Sequence, residues 1–185
     1  MRIVLVAIIF SVLSACATIK ASADDDAAVL SVIMQNRCAS AAKHPEQESG
    51  VLSDQAVVFS PSLGGIGLDD TAFKSLLSRN ESAHQLPRLE LCSAYELTPH
   101  KKIEAAMDRK GPGNGETGWE GFHKAFPKAG GIFYLSLPGY SADGTLAIVQ
   151  VSTACDDLCG SAFYWTLRKI DGKWILEKSV RGWVS

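Results

Sequence analysis

The chain lacks the short signatures that announce common catalytic sites. No Gly-x-Ser-x-Gly, no His-Glu-x-x-His and no phosphate-binding P-loop pattern occurs, which sets aside nucleophile-elbow hydrolases, helical zinc peptidases and P-loop nucleotide enzymes. The four histidines, His44, His84, His100 and His123, are scattered and none is paired at metal-ligand spacing, so neither a metal nor another cofactor is expected. Basic charge is scarce as well. The 18 lysines and arginines stand against 20 aspartates and glutamates, with no dense basic block, which argues against nucleic acid as a partner. No apolar run reaches the roughly 20 residues that a membrane-spanning helix needs.

What is present begins at the first residues. Met1 and Arg2 lead into an apolar run from Ile3 to Leu13, the charged start and short core of a secretory signal. Two cleavage points suit the small-residue rule. Leu13-Ser14-Ala15-Cys16 resembles the lipobox of bacterial lipoproteins, whereas Ala21-Ser22-Ala23 is an A-x-A site that would release a soluble secreted protein. The cysteine stands where the apolar core ends, which favours the lipobox. That resemblance implies a lipid on Cys16, a periplasmic domain held to a membrane, and, since Ala17 is not an aspartate, the outer membrane. One acyl chain holds a protein only reversibly and two or three hold it stably. Residues 1–15 are then a signal peptide, 16–26 a tether and 27–185 a single domain.

Setting Cys16 aside leaves four of the five cysteines, Cys38, Cys92, Cys155 and Cys159. An even set in an exported chain suggests two disulfides. Three connectivities exist. We expect Cys155 with Cys159 and Cys38 with Cys92, because Cys155-Asp156-Asp157-Leu158-Cys159 is a compact loop with a turn-forming aspartate pair. The rival reading, a metal or redox site, lacks the two-residue spacing of thioredoxin-type motifs and a second ligand pair nearby.

From Ala27 to about Ala42, Val29, Leu30, Ile33, Met34 and Cys38 recur at helical spacing. Asp24, Asp25 and Asp26 precede them as a solvated cap. A second helix is expected from Asp69 to about Ser78, with Phe73, Leu76 and Leu77 on one face. Short strands are expected within Val51 to Phe59 and Arg88 to Leu97, and partial helix from Thr98 to Lys110. Ser60 to Gly67 and Gly111 to Gly115 read as loops by composition. The last third carries four β-rich runs, Gly131 to Leu137, Thr145 to Ser152, Ser161 to Ile170 and Lys173 to Val184, separated by Pro138-Gly139, Asp143-Gly144, the cysteine loop and Asp171-Gly172. Asp-Gly between such runs is a strong hairpin signal. Period-two alternation places Phe163, Trp165 and Leu167 on one face and Tyr164, Thr166 and Arg168 on the other. Leu146 to Val151 is apolar on both faces except at Gln150, as in a central strand. The fold class expected is α+β, with the N-terminal helix packed on a curved antiparallel sheet that ends in a four-strand meander.

Trp119-x-x-Phe122, Leu135-Ser136-x-Pro138-Gly139-Tyr140, Ala147-Ile148-Val149-x-Val151-Ser152, Cys155-x-x-Leu158-Cys159-Gly160, Lys169-x-Asp171-Gly172-Lys173-Trp174 and Trp183-Val184-Ser185 together resemble a pattern in uncharacterised exported bacterial proteins. The resemblance implies a meander domain and no known activity. The closing Asp-Gly-Lys-Trp hairpin is also similar to those of cone-shaped sheets of the nuclear transport factor 2 type, a likeness of shape that fixes no function.

Candidate chemistry is sparse. Ser40-Ala41-Ala42-Lys43 matches the S-x-x-K of penicillin-recognising enzymes, but S-D-N and K-T-G are missing. Glu120 and His123, beside a Gly-rich loop, offer an acid and a base; the alternative is an exposed helix histidine. Tyr140, Tyr164, Trp165, Trp174 and Trp183 offer a pocket or partner face, or simply core, and Asn80-Glu81-Ser82 is a glycosylation pattern without a context for it. The expected function is therefore that of a non-enzymatic, membrane-anchored periplasmic protein that binds a protein or cell-wall partner, as an inhibitor, immunity or assembly factor. The alternative is a small envelope hydrolase or a ligand-binding cone.

Overall fold

A computed structural model describes residues 23–44, 49–58, 67–108, 118–156 and 159–184. Cys16, the signal segment and the Gly-rich stretch from Gly111 to Gly115 lie outside them. Among the described residues four helices, α1 (Ala23–Ala41), α2 (Asp70–Arg79), α3 (His100–Met107) and α4 (Trp119–Ala125), accompany nine strands. These are β1 (Gly50–Ser53), β2 (Gln55–Ala56), β3 (His84–Gln85), β4 (Tyr95–Thr98), β5 (Ile132–Leu135), β6 (Gly139–Tyr140), β7 (Leu146–Ala154), β8 (Ser161–Ile170) and β9 (Lys173–Val184). The fold class is α+β.

The meander forms as expected. Strands β5, β7, β8 and β9 are successive antiparallel neighbours, and β7 lies centrally with β5 and β6 on one side and β8 on the other. The β8–β9 turn is built by Asp171 (φ 49°) and Gly172 (φ 76°), both left-handed as a type I′ turn requires. Asp143-Gly144 does something different. Only Gly144 has positive φ, and Asp143 accepts hydrogen bonds from the Ser141 and Thr145 hydroxyls to pin a longer loop between β6 and β7. Proline has no N–H to give a ladder, and β5 and β6 are accordingly separate strands that flank Pro138, both pairing with β7.

The other half of the sheet corrects the expectation of an antiparallel sheet. Strands β4, β1 and β5 run parallel, so the whole sheet, ordered β4-β1-β5-β7-β8-β9 with β6 beside β7, is mixed. Parallel neighbours need crossover connections rather than turns, and α2 and the α3–α4 pair lie in those connections. No local signal in four-residue strands discloses such pairing.

Helices cover both faces, which departs from a cone closed at one mouth. On one face α1 sets Val29, Leu30, Ile33 and Met34 against Leu52, Phe133, Leu135, Val149, Val151 and Leu167. On the other, Ile103, Phe122 and Phe126 of the α3–α4 region pack on Val51 and Ile132, and Ala72 and Leu76 of α2 pack on Ile148 and Tyr164. The period-two division of β8 matches, with Leu167 and Trp165 toward α1 and Tyr164 toward α2. Asp69 caps α2, accepting from Ala72 N–H at 2.9 Å. Gly139 lets α2 approach, because a Cβ there would overlap the backbone of Ala72 and Leu76.

Two disulfides close the structure: Cys38–Cys92 ties α1 to the segment before β4, and Cys155–Cys159 closes the β7–β8 loop. Helix α1 starts four residues before the expected boundary, and Asp24, Asp25 and Asp26 occupy its first turn instead of a tether. Asp26 is buried. The solvated-cap expectation is thus overturned for Asp25 and Asp26, because their partners come from distant parts of the chain that local spacing cannot reveal.

Candidate functional site

The expected acid–base pair is not assembled. Helix α4 presents Glu120 to solvent, while His123 Nε2 meets Asp156 Oδ1 at 2.9 Å. Asp156 stands in the disulfide loop with φ 49°, a conformation aspartate tolerates better than most residues. Trp119 and Phe122 flank the imidazole, with ring centroids 6.1 and 5.5 Å away. A histidine oriented by a carboxylate is half of a nucleophile-activating arrangement, and among the described residues no hydroxyl or thiol is hydrogen-bonded to His123. The pair fastens the Cys155–Cys159 loop to α4.

A more complete chain lies at the carboxyl ends of the parallel strands and was missed in the sequence. Ser53 ends β1 beside Thr98 at the end of β4, and His100 opens α3 just beyond. Ser53 Oγ is 3.2 Å from His100 Nδ1, and His100 Nε2 is 3.5 Å from Glu104 Oε1, one helical turn on. The His100 N–H donates to Asp54 Oδ1 at 2.8 Å, giving α3 a cap from a remote residue. Tyr134 adds its ring edge to His100 at 6.2 Å. Burial, and then the Glu104 charge, pushes the Tyr134 hydroxyl up to about 12. The spacing His100-x-x-x-Glu104 was the available signal, but the serine comes from 47 residues earlier. Serine, histidine and carboxylate in a row is the order of a nucleophile, its base and the group that orients the base. Here Ser53 is fully buried and also accepts the Gln55 N–H at 3.1 Å, so its hydroxyl fastens the bend after β1.

The aromatic candidates separate. Tyr140 joins a network at the start of α1. Asp26 receives both Arg79 guanidinium nitrogens, at 2.9 and 2.7 Å, and the Tyr140 hydroxyl at 2.9 Å. One residue earlier, Asp25 takes Lys169 Nζ at 2.7 Å and Trp174 Nε1 at 3.2 Å. Tyr140 and Trp174 lie 5.8 Å apart by centroid. Burial and then the Asp26 charge hold the Tyr140 hydroxyl far above the usual phenol range, and the hydrogen bond to Asp26 holds the Arg79 guanidinium above its own. Tyr164 is buried under α2, its hydroxyl taking a hydrogen bond from Gln150 Nε2 at 3.0 Å, and burial raises its pKa. Trp183 borders a cavity of about 50 Å³ with Tyr134, Ser152, Thr153 and Ala154, and its indole N–H is buried without a hydrogen-bond partner among the described residues. Tyr140, Tyr164 and Trp183 therefore form no common face. Asn80 is no glycan acceptor in form either: its amide clips both backbone groups of Leu137 and the Leu76 carbonyl.

Among the described residues no group of three potential metal ligands gathers, and no helix is long and apolar enough to cross a membrane. Comparison with known protein families, with curated proteins and with solved structures finds no match. Any functional reading therefore rests on this geometry.

Proposed function

We propose that this chain is an exported lipoprotein, anchored through Cys16 in the periplasm and held to the outer membrane, whose domain binds a protein or cell-wall partner without transforming it. One observation carries the binding half of this reading. The side chains that have chemistry to offer, His123, His100, Ser53, Asp26 and Tyr140, are engaged in fastening one element to another. The two disulfides suit an oxidising compartment, and the lipobox resemblance supplies the anchor. Six residues separate Cys16 from Ala23, which at about 3.5 Å per residue would keep the start of α1 within roughly 25 Å of the lipid.

Intact mass spectrometry of the natively expressed protein, extracted in mild detergent, tests the anchor. A mass that starts at Cys16 with acyl chains added is expected, and the Cys16→Ala variant should leave the membrane fraction. A start at Asp24 without lipid refutes it.

The second reading, a small hydrolase, is favoured by the Ser53–His100–Glu104 chain alone. Turnover of an activated ester that disappears in Ser53→Ala, with the fold intact by circular dichroism, would establish it in place of the first.

A further inference from the structure

Two isoleucines stand half-exposed at the tip of the β8–β9 hairpin, Ile170 at 48% and Ile175 at 49%. Ile175 lies opposite Arg168 and Ile170 opposite Lys173, so the two are diagonal neighbours on one face of the hairpin, within side-chain reach. That face also carries Tyr164, on which α2 packs, but α2 stops short of the tip. The other large apolar side chains exposed among the described residues stand apart, Leu97 on β4 and Val184 at the opposite end of β9. A scattered exposed residue needs no explanation; an adjacent pair on a projecting tip does. Asp25 holds Lys169 and Trp174 at the base of this same tip, so α1 starts beside it. The opposite end of α1 is fixed by Cys38 to Cys92, before β4. A lipid on Cys16 lies no more than roughly 25 Å from the start of α1, which holds the tip next to the bilayer. Arg168 and Lys173 are matched by Glu177 and Asp171, and Asp143 acts on Arg168 from the β6–β7 loop. The tip therefore has no excess of positive charge to draw an anionic surface, and what it offers is apolar contact.

We infer that the tip of the β8–β9 hairpin rests on the bilayer that holds Cys16, with Ile170 and Ile175 sunk into its interface. Lipid covers their apolar surface, while Arg168 and Lys173 extend to the headgroups beside them. The tether limits how far the domain can rise, and the hairpin sets how it is turned. With the start of α1 and the tip both at the lipid, the end of α1 that is bonded to Cys92 points away from it. The inference rests on the lipid anchor proposed above and adds which face of the domain meets the lipid.

The test adds the natively expressed protein, in mild detergent, to phosphatidylcholine vesicles made with and without bromine on the acyl chains. Bromine quenches tryptophan emission on contact. Ile175→Trp and Leu97→Trp each add one tryptophan, read as the difference from the unsubstituted protein. An interfacial side chain sits about 5–10 Å into the headgroup and acyl boundary, so brominated lipid should remove about half or more of the emission added at position 175 and almost none of that added at position 97. Adding Ile170→Glu to Ile175→Trp should cut that quenching at least about twofold, while Cys16 keeps the protein on the vesicles. Equal quenching at the two positions, no quenching at position 175, or quenching unchanged by Ile170→Glu each overturns the inference. The two readings fail separately. If Cys16 carries acyl chains by mass and the protein floats with the vesicles, yet position 175 is unquenched, the docking face is wrong and the anchor stands. A protein without acyl chains on Cys16 refutes the anchor, and this inference with it.

Discussion

Replacing Asp26 by alanine should be among the most damaging single changes outside the hydrophobic core. Asp26 is 7% exposed and accepts three hydrogen bonds, two from Arg79 and one from Tyr140. Its removal leaves a guanidinium and a phenol hydroxyl without their acceptor at the junction of α1, α2 and β6. Breaking a fully buried ion pair costs about 3–5 kcal/mol. The Arg79 side chain keeps 25% exposure, so water can reach it, and the loss falls to about 2–3 kcal/mol. For a domain of this size, 1 kcal/mol moves Tm by about 2–4 °C, so a drop of about 4–12 °C is expected. The assay is urea unfolding with both disulfides intact, followed by tryptophan fluorescence and far-ultraviolet circular dichroism. Trp174, close to both Asp25 and Tyr140, reports on the site. The double variant D26A/R79M should recover part of the loss, because the stranded cation is then gone. The effects of the two single changes should therefore fail to add by about 1–3 kcal/mol. A loss below about 0.5 kcal/mol in D26A, or strict additivity with R79M, would refute the assignment of the network as a buried clasp.

Three further outcomes follow from the same structure. Cys38–Cys92 spans a sequence separation of 54 and Cys155–Cys159 only 4, so chain-entropy reasoning gives about 4 kcal/mol for the first and about 2 kcal/mol for the second; urea midpoints of C38S/C92S and C155S/C159S should fall in that order, and equal midpoints would contradict it. Gly139→Ala should cost more than about 3 kcal/mol by forcing α2 off the sheet, and a native-like melting curve would show that the helix shifts without penalty. Tyr134, held up to about 12, and Tyr140, held higher still, stay protonated in the fold when the unfolded phenols ionise near pH 10. Stability is therefore fully present below pH 10 and declines as pH rises through the folded values, by up to about 1.4 kcal/mol per pH unit for each tyrosine, less what water at the two rings screens. Tyr140→Phe should flatten the alkaline slope, and an unchanged slope would remove Tyr140 from the account.

The parts of the fold that were legible in the sequence are those whose signals are local. Asp171-Gly172 dictated a left-handed turn, the apolar run of β7 marked it as central, and the spacing of Phe73, Leu76 and Leu77 announced α2. The Cys155–Cys159 closure was legible for the same reason. The parallel edge was not, since β1 and β4 are four residues each and pair across more than 40 residues of intervening chain. The Ser53–His100–Glu104 chain was missed because its serine and histidine come together only through that pairing. His123 was read beside Glu120 as an acid and a base, whereas its hydrogen-bond partner is Asp156, as only the return of β7 past α4 could show.

The doubled attachment of α1 has a mechanical consequence. A helix end pulled away from a sheet usually peels, one contact failing after another. A pull at Ala23 instead meets Asp25, fixed to β8 and β9, and Asp26, fixed to α2 and β6, so the load divides at once among four elements. The far end of α1 is riveted covalently by Cys38 to Cys92. Traction applied at the start of the domain is thereby spread into the sheet as shear, and the domain can be tugged from that end without α1 being the first element to come away.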